Sequence, residues 1–327
     1  MPASRILGRL LGRKTRNQES SPTNIPAPAS TSPTVPIPSP TIFIAMQNSG
    51  ILPDALYRPI IEYISEEKAL YQLTLASQIL RLEAQRVLYH TLVKDDLDTH
   101  KGFLKSITRD PRLASYVREY SLMATKTIDK ELWGLLALGL QSMTHLSSLG
   151  FRDHGGGPSA SKILPNCTFQ LDSLNWECNS DEDFLIKFLA TQPRIRKLSL
   201  APSWGLDTFR EVPPTYLPDL EQCCGGHGVL RSFLPNHRIT RVRWIPDLEE
   251  PLRPDPIVLS HINQSVKMLS FGGYFGRMEL PLIATHLQSL EFLELIGLHV
   301  SVRVCFEGVL DQYSYAGPDL YRRQTCS

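Results

Sequence analysis

Seven short segments repeat one apolar pattern at a near-constant interval, which leaves the chain few folds. They are 145–151 (HLSSLGF), 170–176 (QLDSLNW), 194–200 (RIRKLSL), 220–225 (LEQCCG), 238–244 (RITRVRW), 265–271 (SVKMLSF) and 289–295 (SLEFLEL). Six read apolar-x-x-apolar-x-apolar, through Leu146, Leu149, Phe151; Leu171, Leu174, Trp176; Ile195, Leu198, Leu200; Ile239, Val242, Trp244; Val266, Leu269, Phe271; and Leu290, Leu293, Leu295. The remaining copy keeps Leu220 and places Cys223 inward. The interval is about 24 residues, in the range of stacked-repeat architectures.

A strand alternates its faces, so the last two apolar positions of each segment point one way and the residue between them points to solvent. One such strand cannot bury its apolar side alone. Stacked in parallel and backed by a return in each repeat, the strands share a continuous core. Two returns read as helices. Residues 181–190 place Phe184, Leu185, Phe188 and Leu189 on one stripe behind a Ser180 cap, and 128–140 align Ile128, Leu132, Leu135, Leu136 and Gly139. Val117, Tyr120 and Leu122 form a weaker eighth copy. The expected fold class is α/β: a leucine-rich-repeat solenoid of parallel strands with helical returns over 94–300. Residues 301–327 show no clear capping repeat.

Composition narrows the function classes. Among 327 residues the formal net charge is +1, so the overall balance does not call for nucleic acid. No apolar run reaches the length of a transmembrane helix. The six cysteines show no C-x-x-C pair, which fits reduced thiols in a cytoplasmic or nuclear protein. Cys223, Cys224 and His227 fall short of the usual zinc set and read as a small buried pair, so no metal is expected. Gly155-Gly156-Gly157-Pro158 lacks the Lys-Ser/Thr of a P-loop, and neither G-x-S-x-G nor H-E-x-x-H occurs. No catalytic residue and no cofactor are expected.

Residues 1–50 do not read as a packed domain. From Ser20 to Pro40 the chain is dominated by Ser, Thr and Pro, which neither sustain a helix nor bury enough apolar surface to offset chain entropy. The first sixteen residues are basic, with Arg5, Arg9, Arg13 and Arg16 opposite Ile6, Leu10 and Leu11. That pattern is similar to a mitochondrial presequence or a membrane-surface helix, but residues 1–50 read first as a disordered tail, basic and then Ser/Pro-rich.

Between tail and repeats, 51–93 reads as three short amphipathic helices. Leu56, Ile60, Ile61 and Ile64 share one helical spacing, Leu70, Leu73 and Leu75 a second, and Leu80, Ala84, Val87 and Leu88 a third. So small a block has little core of its own and is expected to lean on a partner or on the first repeat. Leu52-Pro53-x-x-Leu56, then Ile60, Ile64, Leu70, Leu73 and the Ala76-Ser77 step before Arg81, resembles an F-box. Joined to the repeats, it resembles the F-box/leucine-rich-repeat proteins, especially the diverged fungal sets. Pro59 departs from the pattern, since it falls where the first helix should be continuous.

The resemblance implies a non-catalytic substrate adaptor of a cullin-RING ubiquitin ligase. Leu52, Pro53, Leu56, Ile60, Ile64, Leu70 and Leu73 would bind a Skp-family linker, itself attached to cullin, and the repeats would hold an unknown target protein. The alternative is a repeat scaffold without a ligase, attached to a membrane or mitochondrion through its N-terminal helix. Strand alternation places the target face independently of the resemblance. Lys197, Ser199, Arg241, Arg243, Met268 and Phe292 fall on it, a basic cluster followed by two apolar side chains. This suits an acidic segment with an apolar anchor.

Overall fold

The computed structural model describes residues 54–153, 160–178, 182–201, 212–245, 256–272, 287–295 and 302–305. The tail 1–50, Leu52, Pro53, Gly155 to Pro158, Ser180 and most of 301–327 lie outside them. The chain divides into two compact units between Leu88 and Tyr89. The first unit holds three helices: α1 (Asp54–Glu62), α2 (Glu67–Ala76) and α3 (Gln78–Leu88). Helix α1 runs through Pro59 rather than starting there. Ile61, Leu70 and Ala84 are buried at the centre, with Tyr57, Ile64, Leu73, Leu80, Val87 and Leu88 packed around them.

The second unit is an α/β assembly on one ten-stranded sheet whose strand order follows the chain. Its strands are β1 (Thr91–Lys94), β2 (Glu119–Ala124), β3 (Ser148–Asp153), β4 (Ser173–Cys178), β5 (Lys197–Leu200), β6 (Gln222–Gly225), β7 (Arg241–Trp244), β8 (Met268–Phe271), β9 (Phe292–Leu295) and β10 (Val302–Cys305). Strands β1 to β9 pair in parallel, each with the next. Strand β10 lies antiparallel on β9. Each of the seven repeated segments carries a strand, the weaker copy at Val117 is β2, and β1 adds a strand that the pattern did not signal. The expected block boundary at Val93 falls inside β1.

The register follows the apolar pattern. Leu92, Tyr120, Leu149, Leu174, Leu198, Cys223, Val242, Leu269 and Leu293 are successive partners across the sheet. All but Leu293, which is half-buried, are fully inside. The register is locked at the strand entries. At every parallel junction, the carbonyl just before one strand accepts two successive N–H groups of the next, beginning with His90 and ending with Lys267, at 2.8–3.2 Å. A shift by one residue would turn the apolar set outward and break this pattern as well.

Helices close one face of the sheet. Helix α4 (Leu97–Arg109) starts at Asp96, whose carboxylate accepts from Thr99 N at 3.1 Å, and buries Phe103, Leu104 and Ile107. Helix α5 is a single turn, Pro111–Ala114. Helix α6 (Lys130–Ser142) is capped by Asp129, which accepts from Leu132 N at 2.8 Å, and brings Trp133 to 5.7 Å from Phe151. In α7 (Glu182–Leu189), Leu185, Phe188 and Leu189 are buried, whereas Phe184 turns outward beneath Lys187. Helices α8 (His227–Phe233) and α9 (Pro256–Ser265) complete the described returns.

Two positions look wrong in sequence and are explained by packing. Gly225 ends β6 where other copies carry an apolar side chain, and a Cβ there would sit 2.6 Å from the Val229 side chain. Because α8 begins two residues later, the helix fills the position itself. Gln192 is 1 % exposed, yet its amide oxygen accepts from Leu171 N at 2.9 Å and its amide nitrogen donates to Phe169 O at 3.2 Å. It is a polar core residue with its bonds made.

A second polar pair makes the core sensitive to acid. His100 Nε2 lies 3.0 Å from Lys94 O, which can only accept, so this nitrogen carries the proton and Nδ1 accepts from the Tyr120 hydroxyl at 2.9 Å. Burial holds the His100 pKa below 6.5, against the smaller opposing effects of the Lys94 carbonyl, Asp96 and Asp95. Burial likewise lowers that of His237, whose Nδ1 donates to Phe233 O. Both prefer protonation in the unfolded chain, where the pKa is about 6.5. Their stabilisation is therefore complete above that value and is lost as pH falls through the lowered folded-state pKa values. The urea midpoint should hold steady from pH 8 to 7 and drop between pH 6.5 and 5; a flat profile over that range would show that neither ring is held neutral by the fold.

Candidate interaction surfaces

The face of the sheet turned away from the helices carries an open groove of about 620 Å³. Its floor follows from strand alternation, because the residues between buried positions project there. One register row runs Lys197, Gln222, Arg241, Met268, Phe292, and the next runs Asn175, Ser199, Cys224, Arg243, Ser270, Glu294. Of the six residues expected on the target face, Lys197, Ser199, Arg241, Arg243 and Met268 line this groove. Phe292 lies beside Met268 in register, just past the lining. Met268 and Phe292 are half-buried rather than fully exposed.

The charges on this face are unevenly matched. At the strand entries, opposite charges from neighbouring repeats meet: Arg194 with Asp172 at 3.2 Å, Arg196 with Glu221, and Lys267 with Glu291 at 2.9 Å. Each of these pairs is largely solvated and contributes little to stability. Beside the groove, Arg152 is paired with Glu177, and Glu294 accepts from Ser270 at 2.7 Å. Lys197, Arg241 and Arg243 are exposed and have no ion-pair partner among the described residues. The Asn175 amide oxygen is buried and likewise lacks a hydrogen bond among them.

At its β2–β3 end the same face is closed. Gly150 is buried against the Ser121 side chain, and a Cβ there would collide with the hydroxyl. The usable groove therefore spans β4 to β9. Cys223 and Cys224 point to opposite sides of β6, so they cannot share a metal ion. No cluster of three metal-ligating side chains occurs among the described residues. Cys167, Cys178, Cys223 and Cys224 are free. Burial pushes the Cys178 thiol up to about 12, and it raises Cys224 despite the lowering effects of Ser199 and Arg243. These thiols stay protonated at neutral pH and are poor nucleophiles.

The helical unit presents a second surface. Helix α1 and the turn after it are apolar on two sides: Tyr57 and Ile61 of the helix and Ile64 beyond it face the core, while Leu56, Ile60 and the turn residue Tyr63 are 45 %, 50 % and 90 % exposed. Leu56 and Ile60, at i and i+4, share one side of the helix, and Tyr63 follows in the turn that closes it, its N–H donating to Ile60 O at 3.3 Å. Leu75, Ile79 and Leu82 are also exposed, at the end of α2 and along α3. Among the residues expected to bind a linker, Leu56 and Ile60 are thus available. Leu70 is buried in the unit's own core, and Ile64 and Leu73 pack against it, so these three act as its structural support. A three-residue centre needs every large side chain within reach, which the helical spacing alone did not reveal. Among the described residues no helix is long and apolar enough to cross a membrane. No protein-family model matches this chain, and no curated protein is similar to it at a significant level.

Proposed function

We propose that the chain is a non-catalytic substrate adaptor of a cullin-RING ubiquitin ligase, acting in the cytoplasm or nucleus. In this reading the helical unit is a diverged F-box that docks on a Skp-family linker, and the strand assembly is a leucine-rich-repeat solenoid that holds the target protein. The observation that carries it is the exposed apolar stripe of Leu56 and Ile60 on α1, continued by Tyr63 in the turn after it. A helical unit this small leaves these three large apolar side chains outside while burying the opposite side of α1. Exposed apolar clusters of that kind mark association surfaces.

The in-register stack of parallel strands, in chain order, supports the second half, since solenoid arrays of this kind present long binding faces. Co-expression with a Skp-family linker tests the first half. The wild-type chain should retain the linker through affinity and size-exclusion steps, and Leu56→Asp with Ile60→Asp should lose it while keeping the wild-type circular dichroism. Central interface leucines contribute about 2 kcal/mol or more each, so the double change should cost at least about a thousandfold in affinity. Retention of the linker by the double variant would overturn this assignment of the surface.

A further inference from the structure

The row Lys197, Gln222, Arg241, Met268, Phe292 places its two cations and its terminal aromatic on alternate strands: β5, β7 and β9. Two strand steps span about 9.6 Å. A peptide crossing the strands in an extended, polyproline-like conformation advances about 9.3 Å in three residues. Every third side chain of such a peptide would therefore meet Lys197, then Arg241, then the Met268–Phe292 pair. The second row reinforces which end of the groove is cationic. Arg243 adds a second cation on the same strand as Arg241, whereas β9 offers the apolar Phe292.

Resting on the reading of this face as the target-capture surface, we propose that it binds an unphosphorylated extended segment of the target with the order acidic-x-x-acidic-x-x-apolar. Its carboxylates lie on Lys197 and on Arg241 with Arg243, and its apolar side chain lies on Met268 and Phe292. Carboxylates on successive turns suit this face better than one phosphoryl group. The cations are spread over β5 and β7, with neutral Gln222 between them in register. Discrimination comes from charge attraction at β5–β7 and apolar contact at β9.

The test is fluorescence anisotropy with the full chain and a labelled heptapeptide carrying aspartate at its first and fourth positions, leucine at its seventh and serine elsewhere. This peptide should bind saturably, at least about tenfold more tightly than one with leucine fourth and aspartate first and seventh, which matches the face in neither chain direction, and should weaken with added salt. Arg241→Gln and Lys197→Gln, both at exposed positions, should each weaken it while leaving the melting temperature unchanged. Equal binding of the two peptide orders, no binding of either, or a requirement for phosphoserine in place of aspartate would each overturn the proposal. The outcome is separable from the adaptor reading. A chain that retains the linker but ignores the peptide disproves this inference alone, and one that binds the peptide but never a linker disproves the ligase role alone.

Discussion

Replacing Leu198 with Asp should abolish the cooperative melting transition of the strand unit. Leu198 is 2 % exposed, in register between Leu174 and Cys223 at the middle of the array, and none of its core neighbours can pair a carboxylate. Burying an unpaired polar or charged group costs several kcal/mol, set against a total domain stability of about 5–15 kcal/mol. Each repeat also rests only on its neighbours, so a break at the centre leaves two fragments with an unfilled edge each. The control is one residue away: Lys197→Asp, on the open face, should melt within a few degrees of wild type. Equal melting curves for the two variants, followed by circular dichroism, would show that the faces are not divided as described.

The second large effect is expected at Trp176. Its ring stacks on Phe151 at 5.1 Å with 25° between planes, and Phe151 in turn packs at 5.7 Å from Trp133. Truncating a buried tryptophan to Ala costs about 3–5 kcal/mol, through lost burial and the cavity left behind. The indole N–H, however, is buried without a partner among the described residues. Trp176→Phe should therefore lose ring area while relieving an unpaired donor, and it should cost well under half as much as Trp176→Ala in urea denaturation. A Phe variant as unstable as the Ala variant would mean that the N–H makes an interaction of its own.

How much of this was legible in the sequence depends on what each residue touches. The strands at Leu149, Leu174, Leu198, Val242, Leu269 and Leu293 follow from their spacing, because a buried parallel strand enforces its apolar period directly. Strand β6 was legible only through Cys223, since the apolar residue expected at Gly225 is supplied by Val229 of a helix that starts immediately afterwards. Strand β1 was not legible. Its copy runs Tyr89, Leu92 and then Lys94, and it lies at the edge of the sheet, where one side needs no apolar cover.

Strand alternation puts Lys197, Ser199, Arg241, Arg243 and Met268 on the open face, where they line the groove, but it does not give the extent of that face. Alternation places Gly150 on it, yet only three-dimensional packing reveals that Ser121 closes that end. The helical unit was the least legible part. Helical spacing groups Leu56, Ile60, Ile61 and Ile64 together, and it takes the fold to separate Ile61, which is buried, from Leu56 and Ile60, which are not.

That separation sets up the most direct measurement of the central claim. Purified full-length chain, titrated with a purified Skp-family linker at low salt and followed by calorimetry and size-exclusion chromatography, should give a saturable one-to-one complex through the outer stripe of α1. No heat and no comigration, with circular dichroism showing the strand unit intact, would contradict the adaptor role and leave the protein as a repeat scaffold whose open face works without a ligase.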